Sequence, residues 1–119
     1  MGHVLINNTR GKDDVERASL AFLVGNVALN SGQEATLLLT IEGVWVATRG
    51  YADGLQATGF DPLNELVRKF AANGGRIWVC GACAKPRGIT QEQLIEGAQI
   101  IGAATAVEAL VNGAQTLSF

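Results

Sequence analysis

Short apolar runs alternate along the chain with stretches of helical period. HVLINN, residues 3–8, is an apolar run closed by polar turn-formers and reads as a strand. From Asp13 the period changes. Val15, Ala18, Phe22, Gly25 and Leu29 fall on one helical face, while Asp14, Arg17 and Asn26 lie off it. Leu20, Leu23, Val24 and Val27 widen the apolar surface beyond one stripe, which predicts a helix covered on two sides, by a sheet and by something else. Asn30-Ser31-Gly32 supplies the stop.

Ala35 to Ile41, ATLLLTI, is a continuous apolar run suited to a strand buried on both faces, ending at Glu42-Gly43. VWVAT, from Val44, fits a short strand or a helix start, and RGYADGLQATG after it reads as loop. Asp61-Pro62 predicts a helix start, with Asp61 as cap and Pro62 in the first turn; Leu63, Leu66, Val67 and Phe70 share its apolar face. Asn73-Gly74-Gly75 ends it. Arg76 to Cys80 is the next strand, and GACAKPRGI a loop. Thr90 and Gln93 have capping-box spacing and predict a short helix. Gln99 to Gly102 reads as a fourth strand, Thr105 and Glu108 as the cap of a last helix through Val111, and Gln115 to Phe119 as a closing strand. This order predicts a single α/β domain over residues 1–119, with a mainly parallel five-stranded sheet and helices on both faces. Ligands of such sheets bind beyond the carboxyl ends of the strands, which singles out residues 8–13, 42–60 and 80–90.

Composition changes this picture in one respect. Apolar residues make up 48% and charged residues 17% of the 119, an apolar excess that predicts a homo-oligomer. The net charge of −2 and the lack of a basic run exclude the electrostatic footprint of a nucleic-acid binder. No apolar run approaches the length of a membrane span. MGHVLINNTRG lacks the features of an export signal, and two cysteines make no disulfide framework, so a reducing cytoplasm is expected.

The chemistry, if any, centres on Cys80, where an apolar strand ends. Lys85, Arg87 and the helix start at Thr90 would favour its thiolate, and small Gly81 and Ala82 would let a bulky partner approach the sulfur. The plainer reading is a buried, unreactive strand cysteine. Cys83 completes a C-x-x-C and fits a resolving thiol, a second carrier or a loop filler. With one histidine, His3, far away along the chain, no closed metal site is expected, and no cofactor is implied. A thioredoxin-type dithiol has the same local form but follows the first βα unit, whereas these cysteines come after two. GKDD at 11–14 is a turn and an acidic helix start, not a phosphate loop. Glu42 fits an acid or base beside the thiol, or a solvated strand-end carboxylate. Trp45 and Trp78 read as core or interface aromatics.

The segment IWVCGACAKPRGITQEQLIEGA resembles the DsrE/DsrF-like family, whose pattern is an apolar strand, a cysteine, small residues, Arg-Gly-Ile and a polar helix start. Those positions are Val79, Cys80, Gly81-Ala82, Arg87-Gly88-Ile89 and Thr90. The likeness extends to Glu42-Gly43-Val44 and to the strand ending in Phe119. The resemblance implies a flavodoxin-like three-layer fold and association into trimers or hexamers. It also implies a thiol, at Cys80, that accepts sulfur as a persulfide from a donor protein and passes it to an acceptor. Cys83 departs from the family pattern, where a small residue is common. Two other functions remain open on the residues themselves: a dithiol redox protein cycling through Cys80–Cys83, and a non-catalytic module binding a small ligand between subunits near Glu42 to Tyr51.

Overall fold

The computed structural model describes residues 1–119. Its five strands are β1 (His3–Asn8), β2 (Glu34–Leu39), β3 (Arg76–Cys80), β4 (Ala98–Ile101) and β5 (Gln115–Ser118). All neighbours are parallel, in the order β4-β3-β2-β1-β5. The helices are α1 (Val15–Asn30), α2 (Leu63–Ala72), the single-turn α3 (Gly81–Ala84) and α4 (Ala103–Val111). Right-handed crossovers explain the layering. The chain steps in one direction from β1 to β4, so α1 and α2 share a face. It then returns across the whole sheet to β5, so α4 lies on the other.

The core is the face under α1 and α2. Ile6, Leu37, Leu39, Ile77 and Val79 alternate inward from the strands and meet Ala18, Ala21, Phe22, Leu63, Val67 and Phe70. Phe22 and Phe70 meet edge to face at 5.8 Å and 85°, and burying each ring contributes about 1.5–3 kcal/mol. Gly25 lets α1 approach this closely, since a Cβ there would lie 2.8 Å from both Leu37 and Phe70. Asn26, placed off the apolar face by periodicity, is instead buried; its amide donates to the Leu66 carbonyl and joins α1 to α2. Leu23 and Val27 stay 38% and 55% exposed, so the second cover predicted for α1 does not come from this chain. No helix is long and apolar enough to cross a membrane.

The predicted strands are all present, but several boundaries move. β2 ends at Leu39, because Ile41 turns to φ 53° and starts a 3-10 segment, Ile41–Ala47. VWVAT therefore forms neither a strand nor an α-helix. Thr48 makes an isolated antiparallel bridge to Leu94 instead. Pro62, not Asp61, occupies the cap of α2, and Gly102 rather than Thr105 that of α4, with no side-chain cap at either. GACAKPRGI is not a plain loop: it forms α3 and then a 3-10 turn, Lys85–Arg87. Thr90 and Gln93 do form a capping box, on a single 3-10 turn, Gln91–Gln93.

The carboxyl ends of β1 and β2 are locked by a backbone contact. The Asn8 carbonyl accepts from the Thr40 N–H at 3.1 Å, and the Asn8 side chain bonds both the N–H and the carbonyl of Arg10. Gly43 packs directly on that carbonyl, where a Cβ would lie 2.1 Å from the Asn8 oxygen. Backbone atoms on both sides leave nothing flexible to give way. Gly43→Ala should therefore cost at least about 2 kcal/mol. Thermal unfolding checks this: a midpoint clearly below wild type is expected, and an unchanged midpoint would contradict the contact.

Candidate functional site

Three segments meet beyond the carboxyl edge of the sheet: the turn after β1, the 3-10 segment after β2, and α3 with its following turn after β3. Each is fixed by its own residues. After β1, the Asp13 carboxylate accepts from the Gly11 N–H at 2.8 Å and from Arg10, and these bonds hold its carboxyl below the usual range. Asp14 caps α1 through the Arg17 N–H, which lowers its carboxyl in the same way. The Lys12 N–H donates to the Tyr51 hydroxyl at 2.8 Å, and its ammonium lies 4.6 Å from the Tyr51 ring centre. Tyr51 also stacks on Trp45, with ring centres 6.1 Å apart. Burial pushes the Tyr51 phenol up.

The segment after β2 is held on its far side by Arg49. Its guanidinium donates to the Leu94 and Glu92 carbonyls and its N–H to Gln93, while the Ile95 N–H reaches Ala47. Nothing in the sequence pattern marked Arg49, since its acceptors are backbone carbonyls more than forty residues away.

Cys80 is the last residue of β3 and the cap of α3, and Cys83 lies three positions on, within that single turn. Both thiols are free and half-buried. Burial raises the Cys83 thiol above its ordinary value; the Ile41 N–H opposes this, and the neighbouring Cys80 adds to it. Ile41 carries that N–H in the left-handed region, where a β-branched residue is strained.

The other sequence candidates divide. Glu42 and Arg87 meet: one Glu42 oxygen accepts from Arg87 Nε at 3.1 Å and from Nη2 at 2.9 Å. Arg87 Nη1 donates to the Cys83 carbonyl at 3.1 Å. Arg87 therefore ties the β2 exit to the thiol-bearing turn. Its bonds run to Glu42 and to backbone, not to a Cys80 thiolate. Gly81 packs on the Ile101 carbonyl, 3.2 Å from where a Cβ would be. Lys85 is exposed and makes no ion pair. Thr90 is exposed too, and its N–H is taken by Gln93 at 2.8 Å, so that turn is closed on itself. No group of three or more His, Cys, Asp or Glu side chains is gathered as metal ligands would be. A separate cleft of about 290 Å³, lined by Val46, Ala52, Val67, Arg68 and Ile95 among others, lies behind residues 44–53; neither cysteine lines it.

Comparisons with known proteins agree with this architecture. An uncharacterized protein of Methanocaldococcus jannaschii is 35% identical over 102 residues, covering 86% of this chain. The chain spans only 37% of that relative's length. A second relative, an uncharacterized protein of Methanopyrus kandleri, is 28% identical over 85 residues, 71% of this chain and 67% of its own. The crystal structure of the ychN protein from E. coli superposes with a TM-score of 0.71 at 18% identity, covering 100% of this chain and 99% of its own. A protein of unknown function from Methanobacterium thermoautotrophicum does so with the same TM-score at 15% identity, covering all of both chains. These structures share the fold. The DsrE/DsrF-like family model matches residues 2–119, and with that match along the whole sheet and its thiol-bearing edge, the chain belongs to the DsrE/DsrF-like family.

Proposed function

We propose that the protein is a sulfur carrier that takes up persulfide sulfur on Cys80 and passes it to a partner protein. One observation carries this reading: a half-buried free thiol ends β3 at the carboxyl edge of a parallel sheet, with a second free thiol three residues on in the turn that follows. In loading, the Cys80 thiolate attacks the outer sulfur of a donor persulfide. The donor S–S bond breaks, the donor leaves as a thiolate, and Cys80 bears the new S–S bond. Glu42 and Arg87 hold the turn in place, and Gly81 lets it pack closely on the Ile101 carbonyl. Protein donors and acceptors suit a thiol on an open edge. Intact mass spectrometry after brief exposure to a persulfide donor tests the assignment. Wild type should gain one sulfur atom and Cys80→Ser none, with an unchanged circular dichroism spectrum. Equal loading of Cys80→Ser would refute it.

The carrier acts in a homo-oligomer, in line with the trimers or hexamers the resemblance implies. The support is apolar surface that one chain leaves bare. α4 buries none of its residues, with Val107 and Val111 56% and 79% exposed, and β5 is exposed along its whole length. An apolar helix and an uncovered edge strand are a liability in a lone chain. Light scattering should give a multiple of 12.5 kDa, reduced in a Val107→Asp, Leu110→Asp double variant. A monodisperse monomer would contradict the assembly.

A further inference from the structure

We propose that Cys83 resolves the Cys80 persulfide, releasing its outer sulfur as hydrosulfide and closing a Cys80–Cys83 disulfide. This rests on the carrier reading and adds a second activity to it, the reduction of bound sulfane sulfur. Three features of the turn carry the inference. The two cysteines occupy the cap and third position of one helical turn, a separation that falls within the Cα range of roughly 4.4–6.8 Å that a disulfide accepts. Both thiols are free and only partly buried. The turn is also pinned on both sides of Cys83, by the Arg87 guanidinium on its carbonyl and by the Ile41 N–H facing its sulfur.

The step balances without an outside oxidant. Cys83 sulfur attacks the inner sulfur of the Cys80 persulfide anion, the bond between inner and outer sulfur breaks, and the Cys83 proton goes to the outer sulfur. The products are hydrosulfide and the Cys80–Cys83 disulfide. The outer sulfur has gained two electrons, and the two cysteine sulfurs have lost them. A dithiol reductant then restores both thiols by ordinary exchange. The proton passes to the outer sulfur of the persulfide as Cys83 attacks, so that hydrosulfide and not sulfide dianion leaves, and a thiol of raised pKa gives an intrinsically stronger nucleophile once it is deprotonated. Glu42 and Arg87 are the charged pair bonded to the turn, with Lys85 exposed beside it, and the Arg87 guanidinium favours the Cys83 thiolate that this proton transfer creates.

The experiment loads wild type, Cys83→Ser and Cys80→Ser with glutathione persulfide without oxygen, desalts them, and follows intact mass and hydrosulfide trapped by a bimane reagent. Undosed wild type controls for adventitious oxidation. Wild type should lose its added sulfur at least on the order of tenfold faster than Cys83→Ser, ending two hydrogens below the reduced mass with one hydrosulfide per chain. Cys83→Ser should keep its sulfur until an external thiol is added. If wild type retains the added sulfur as long as Cys83→Ser does, the inference is overturned and the carrier reading stands. If neither of these two proteins loads, the carrier reading fails and this inference with it. Loading of Cys80→Ser on Cys83 would exchange the roles and overturn the inference as well.

Discussion

The contact of Gly43 with the Asn8 carbonyl fixes how the loops above the sheet meet. In a parallel sheet the strand ends converge on one edge, but nothing in strand pairing dictates how close the chains leaving it come. Here the Asn8 oxygen serves as acceptor for Thr40 and as the floor for Gly43, while the Asn8 side chain closes the turn to Arg10. Bringing two backbones into van der Waals contact places Glu42, next to Gly43, over the turn that follows β3. That is what lets Glu42 reach an arginine forty-five residues away.

The Glu42–Arg87 pair converts this proximity into a defined site. A half-exposed ion pair adds little stability, of the order of 1 kcal/mol or less. Its effect is geometric: the remaining guanidinium nitrogen bonds the Cys83 carbonyl and so sets the turn that bears both sulfurs. Burial and a neighbouring sulfur act on Cys83 in the same direction, against a backbone N–H supplied by a strained isoleucine and the charge of Arg87. The two thiols are close in sequence yet differently placed, one ending a strand and the other within the short helix that follows. Chemistry that needs a donor of electrons and a donor of a proton can be shared between them.

Much of the scaffold was legible in the sequence because strands of a doubly covered sheet are apolar runs bounded by turn residues. HVLINN, RIWVC and the run from Ala35 announce themselves in this way, and Cys80 was found at a strand end for the same reason. The misses have a common cause. Asn26 was placed off the buried face because its partner is the Leu66 carbonyl on another helix. The turn at Ile41 was invisible because an isoleucine in the left-handed region runs against its own preference. The 3-10 segment has no apolar period to detect, and α3 is too short to show one. The Glu42–Arg87 pairing and the Arg49 clamp join residues that only the fold brings together. By contrast, the proximity of Cys80 and Cys83 is written locally, in a three-residue step.

The central claim is this division between the sulfurs: Cys80 reacts first, and Cys83 holds its proton. Site-resolved alkylation by limiting iodoacetamide across a range of pH, with each cysteine quantified by peptide mapping, tests it most directly. The account predicts that Cys80 is labelled first near neutral pH, and that Cys83 labelling rises only above the range of an ordinary thiol, because a raised thiol forms its thiolate later. Labelling of Cys83 ahead of Cys80 at neutral pH would contradict it.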